Sequence, residues 1–160
     1  MLRVFNFVFQ TTKAWFVYSN FLNVKGSVGY SRAFPSSVLK SNNYRHYPFV
    51  VSHLRAFYTQ LFRNIKDADL QDEEGEYFRA ANDVAICLPI LEQAGGSRIK
   101  YLQELTYFYN SNTGQNNHQL RLKEQKGNDR LVRRRRQYQV LKSLMDAPSY
   151  KATRKRPNDD

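Results

Sequence analysis

The stretch from Gly75 to Asn110, GEYFRAANDVAICLPILEQAGGSRIKYLQELTYFYN, concentrates the residues that could do chemistry. It sets one acid, Asp83, six residues before Pro89 in an otherwise apolar run that closes at Gly95-Gly96. A proline inside a helix costs about 3 kcal/mol through a lost hydrogen bond and a clash with the preceding turn. Asp83 lies off the apolar stripe of Phe78, Ala81, Ala85, Leu88 and Leu91, so its carboxylate is available either as a solvated helix acid or as a general base. His53 and Arg55 stand where a helix is expected to begin, and backbone N–H groups with a guanidinium can engage an anion or sugar hydroxyls there. Arg133 to Arg136, followed by Tyr138, could form a nucleic-acid patch, although four adjacent helical residues spread around the circumference. Cys87, the only cysteine, sits between Ile86 and Leu88 and reads as packed core; no internal disulfide is possible.

These residues need elements to hold them. Leu2 to Phe9 reads as a short apolar helix or turn, and Ala14 to Leu22 as an aromatic, Val-containing strand followed by a Lys25-Gly26-Ser27 turn and a second extended piece to Tyr30. Ser36 to Tyr47, bracketed by Pro35 and Pro48, is assigned to loop with one helical turn. Leu54, Phe57, Tyr58, Leu61 and Phe62 recur with helical spacing, which predicts an amphipathic helix capped by Ser52. Glu76 to Ala94 is a second helix ending at Gly95, and Ile99 to Tyr109 a buried strand. The polar cluster Asn110 to His118 reads as a loop, Gln119 to Met145 has helix-forming composition, and Pro148 to Asp160 reads as disordered.

At 160 residues and 41% hydrophobic, the chain can bury one core, and its 22 Phe and Tyr residues supply much of it. Of the net charge of +11, residues 120–160 carry +8, so the basic character belongs to the tail, which attracts phosphates, nucleic acid or anionic surfaces. No apolar run approaches the ~20 residues of a membrane-spanning helix, and neither a signal peptide nor a transmembrane segment is expected; a reducing, cytoplasmic compartment follows from the single cysteine.

Five ordered motifs resemble the later half of family-2 nucleotide-sugar glycosyltransferases of the GT-A type. They are Ser52-His53-Leu54-Arg55-Ala56-Phe57, Asp83-Val84-Ala85, Pro89-Ile90-Leu91-Glu92-Gln93-Ala94-Gly95, Tyr107-Phe108-Tyr109-Asn110 and Asn116-Asn117-His118. The resemblance runs from about Val4 to Arg136. It implies a partial GT-A, Rossmann-like α/β domain over residues 1–118, with few strands, two main amphipathic helices, a basic helical extension at 119–145 and a disordered tail at 146–160.

By the same resemblance Asp83 is the base of an inverting sugar transfer, and His53, Arg55, Tyr109 and Asn110 line the acceptor and diphosphate side. His118 is a weak metal ligand. The partners implied are a nucleotide sugar, a glycan or other hydroxyl acceptor, and a polypeptide carrying the donor-binding half, with its Asp-x-Asp motif and a Mn or Mg ion. Asp67-Ala68-Asp69 falls out of order for that motif and is read as starting a turn before the acidic loop Asp72 to Glu76. The alternative from another class is a small basic nucleic-acid-binding protein using Arg133 to Arg136.

Overall fold

The computed structural model describes residues 2–110 and 121–146. In chain order its elements are α1 (Leu2–Thr11), β1 (Phe16–Asn23), α2 (Ser36–Ser41), β2 (Arg55–Phe57), α3 (Thr59–Arg63), α4 (Asn82–Ala94), β3 (Ile99–Tyr109) and α5 (Leu122–Arg134). The architecture is mixed α/β, a small mixed sheet of order β2-β1-β3 among helices. β1 runs antiparallel to β2, with Val17 opposite Ala56, and parallel to β3, with Phe16 opposite Ile99 and Asn23 opposite Tyr109.

β1 is the central strand, and its aromatic run with Val17 suits burial on both faces. Alternation along it divides the core. Phe16 and Tyr18 face the main cluster with α4, while Val17 faces Phe5 of α1 together with Ala14, Leu54, Ala56 and Leu102. β3 departs from expectation: it is half-exposed rather than buried, with Leu105 and Phe108 at the surface. Among the described residues it pairs only with β1, so it is an edge strand.

The helix expected from Ser52 is also corrected. Residues 55–57 form β2, and only Thr59–Arg63 is helical, with Tyr58 rather than Ser52 at its N-cap position. The local periodicity is outcompeted by pairing to β1: Ser19 N–H donates to the Leu54 carbonyl at 3.0 Å, and Leu54 N–H donates to Ser19 Oγ at 3.1 Å. Ser52 N–H is taken by Ser31 Oγ at 3.0 Å.

α4 begins at Asn82 rather than Glu76. Upstream, Asp72 Oδ1 accepts from the backbone N–H groups of Glu74 and Glu76, and Gly75 supplies a positive φ of 84°. An antiparallel bridge between Gln71 and Tyr77 closes that turn, and Phe78 N–H is taken by the Leu70 carbonyl at 3.1 Å. Ala81 then takes a left-handed φ of 58° as the residue before the helix. From Cys87 to Ala94 every residue of α4 is buried, more completely than a one-sided stripe requires, and the helix passes through Pro89 unbroken to end at Gly95.

Burial on all sides obliges the polar residues of α4 to find partners. Gln93 Nε2 donates to the Leu61 carbonyl at 3.0 Å, and its Oε1 accepts from Asn64 at 2.8 Å. Glu92, fully buried, accepts a bidentate pair from Arg45, Nε to Oε1 at 2.6 Å and Nη2 to Oε2 at 2.9 Å, and a third bond from Tyr138 N–H at 2.9 Å. Arg45 Nη1 also donates to the Val132 carbonyl at the end of α5. Leu131 and Val132, with Tyr138, Leu141 and Leu144 beyond the helix, pack against the main core. The helix expected over 119–145 thus stops at Arg134, and the chain from Arg135 is pinned across α4 in extended form. Of the polar cluster from Asn110 to His118 all but Asn110 lies outside the described residues, as does the tail from Pro148.

Removing either partner of a buried ion pair leaves the other charge uncompensated, at a cost of about 3–5 kcal/mol. Arg45→Ala and Glu92→Ala are each expected to lower stability by about that amount, and the double variant to cost scarcely more than either single. Urea unfolding of the four proteins measures this coupling, and additive losses would refute it.

Candidate active site

Asp83 occupies the first turn of α4, where unpaired backbone N–H groups and the helix dipole favour a carboxylate. Its Oδ1 accepts from Val84 N–H at 2.9 Å, and its Oδ2 accepts from Arg55 Nη2 at 3.2 Å. The Asp83 side chain remains 31% exposed, against 14% for Arg55. The acid is therefore oriented from behind and open in front.

Arg55 comes from β2 and is used inside the protein. Its Nε donates to the Ser52 carbonyl at 3.0 Å, and its Nη1 contacts Cys87 Sγ at 3.6 Å. The Cys87 thiol is pushed up to about 11 by burial, with Arg55 opposing. It is therefore neutral at physiological pH, as packed core should be.

In front of Asp83 lies a cleft of about 830 Å³, within the range of small-molecule sites. One wall is aromatic. The rings of His53 and Tyr109 stack at 5.6 Å and Phe21 lies 5.3 Å from Tyr109, while Tyr107, outside the lining, lies 5.2 Å from His53. β1, β3 and the segment entering β2 each contribute to this wall. Burial holds the His53 imidazole below its usual range; Arg55 adds to that effect and Asp83 opposes it.

α5 also borders the cleft. Leu122, Gln125, Lys126, Asp129 and Arg130 line the cleft at the i, i+3, i+4, i+7 and i+8 positions of one helical face. Asn128 anchors the helix by donating to the Ala80 carbonyl at 3.0 Å, next to the left-handed Ala81. Reading the segment only as a basic extension overlooks this face. The helical spacing of these five residues is present in the sequence, but four of them are polar, and an apolar-stripe search passes over them.

Of the residues singled out from sequence, Asp83, His53 and Tyr109 line the cleft, and Arg55 reaches it through Asp83. Asn110 is exposed just beyond β3 and is not part of the lining. His118 lies outside the described residues. Asp67 and Asp69 do not fit a divalent-ion clamp: Asp67 Oδ2 accepts from Tyr77 Oη at 2.8 Å, and Asp69 Oδ2 from Tyr138 Oη at 2.5 Å, while Arg135 stands 3.7 Å from Asp69. They form a short 3-10 turn that fastens the extended C-terminal segment. Among the described residues, no group of three His, Cys, Asp or Glu is placed to hold a metal.

The arginine run divides in two. Arg133 pairs with Asp129 at 2.8 Å and donates to the carbonyls of Arg45 and Tyr47. Arg135 donates to the carbonyls of Ala68 and Gln71. Arg134 and Arg136 are exposed. No described helix is long and apolar enough to cross a membrane.

Comparison with protein-family models, with curated proteins and with solved structures returned no match for this chain.

Because Asp83 opposes the depression of the His53 pKa, Asp83→Asn is expected to move the imidazole titration further below 6.5. A neutral folded-state imidazole contributes stability that is present above the unfolded pKa and lost as pH falls through the folded one. That acid loss should therefore set in below about pH 6.5. Following the His53 ring protons by NMR in both proteins checks the order; an upward shift in the variant would contradict the arrangement.

Proposed function

We propose that this chain provides the acceptor side of a GT-A type, inverting glycosyltransferase. The observation that carries the reading is convergence. His53, Arg55, Asp83 and Tyr109 come from three separate motifs of the resemblance, and in the fold His53, Asp83 and Tyr109 line one cleft, with Asp83 open towards it and held by Arg55.

In the proposed reaction, an acceptor hydroxyl sits against the Asp83 carboxylate with its sugar ring on the His53/Tyr109 wall. Asp83 takes the hydroxyl proton as the oxygen attacks the anomeric carbon of the donor. The bond from that carbon to the diphosphate breaks, the nucleoside diphosphate leaves with the electron pair, and the configuration inverts. Arg55 acts as a positioning residue, since its contacts hold Asp83 and the backbone of Ser52 rather than facing the cleft. Nucleotide-sugar binding, with its Mn or Mg ion, is assigned in this reading to a donor-binding half carrying Asp-x-Asp.

With such a half supplied in trans, Asp83→Asn should reduce sugar transfer by about 10²–10⁴-fold, the usual contribution of a general base, while donor affinity stays near that of the unaltered chain. A radiolabelled transfer assay beside a donor-binding measurement tests this. Retained transfer would remove Asp83 from the mechanism.

A further inference from the structure

The charges in the cleft are unevenly satisfied. Of its two acids, Asp83 is paired with Arg55 and Asp129 with Arg133. Its two cations are not so matched: among the described residues, neither Lys126 nor Arg130 forms an ion pair, and the only bond Arg130 makes is from Nε to the carbonyl of Lys126 at 3.2 Å. Arg130 also borders the groove that carries Asp72, Glu73 and Glu74, yet none of these carboxylates reaches it.

Lys126 and Arg130 are four residues apart on α5, so their side chains leave the same face about 5–6 Å apart at the Cβ atoms. Both are exposed and both line the cleft that also takes in His53 and Tyr109. A ligand resting a ring on His53 and Tyr109 would meet two unneutralised positive charges in the same cleft. A phosphate monoester, with a charge of about −1.5 to −2 at neutral pH, matches that pair better than a single carboxylate does. The guanidinium supplies forked donors and the ammonium a compact charge, the combination that phosphate oxygens take up.

We propose that Lys126 and Arg130 form an anion subsite and that the acceptor is a phosphorylated sugar. This rests on the acceptor-side reading above and adds the substrate class. It also assigns α5 a binding role that its basic composition alone leaves undirected.

The test is calorimetric titration of the full chain with a panel of hexose phosphates (glucose 1-phosphate, glucose 6-phosphate and mannose 6-phosphate), each beside the neutral hexose, inorganic phosphate, glucuronate and a short oligothymidylate. At least one hexose phosphate should bind tenfold or more tightly than the neutral hexose and than inorganic phosphate. Lys126→Gln/Arg130→Gln, two exposed positions, should abolish that advantage, while Arg134→Gln, exposed on α5 and outside the cleft lining, should retain it. The proposal is overturned if no hexose phosphate binds, if the double variant binds as the unaltered chain does, or if inorganic phosphate, glucuronate or the oligonucleotide binds as tightly as the best hexose phosphate. Binding that depends on Lys126 and Arg130 without transfer in the complemented assay would sink the transferase reading alone. Transfer that depends on Asp83 and uses neutral acceptors alone would sink the anion subsite alone.

Discussion

The buried pair between Arg45 and Glu92 is the constraint on which the rest of the structure depends. A carboxylate with no exposure survives on a helix packed from every side only when each oxygen is occupied. Glu92 meets that demand with two bonds from Arg45 and one from the Tyr138 backbone. Arg45 in turn reaches the Val132 carbonyl, so one charge pair joins α4, the turn at Tyr44–His46, the end of α5 and the segment after it. α5 has little apolar surface of its own, with Val132 its one buried residue. Its position therefore rests on the packing of Leu131 and Val132 against the core, on polar bonds at its C-terminal end and on Asn128.

A second economy of charge governs the cleft. Arg55 serves Ser52, Cys87 and Asp83 at once, which orients the acid without spending the arginine on a ligand. Arg133 does the same for Asp129 and two backbone carbonyls. Once these bonds are made, the lining is an oriented acid, a cluster of rings and two uncommitted cations. The +11 net charge is thus divided by function. Several arginines hold the fold, and a smaller set faces solvent or the cleft.

Much of the framework was legible in the sequence. β1 falls where an aromatic, Val-containing run lies, α1 where the first apolar stretch lies, and α4 ends at the glycine expected to end it. The spacing of Leu54, Phe57, Tyr58, Leu61 and Phe62 was misleading over its first half because the period is real. A three-residue strand offers no period strong enough to outweigh it. Pro89 was readable as unusual, but not the complete burial around it, since an apolar run does not say how many elements will cover it.

What the sequence by itself determined is therefore local: the mixed α/β character, the principal strand and buried helix, the fate of Cys87, and an acid placed to face outward from α4. These follow from patterns a few residues long, because propensity, capping and hydrophobic period act through neighbours. Only the tertiary structure decided that Arg55 lies behind Asp83, that Asp69 fastens Tyr138, and that α5 forms the wall bearing Lys126 and Arg130. Those outcomes rest on bonds across 28, 69 and 87 residues of chain. Contacts at such separations become specific only when the whole core closes and each buried polar group must find a partner, a condition no short window of sequence contains.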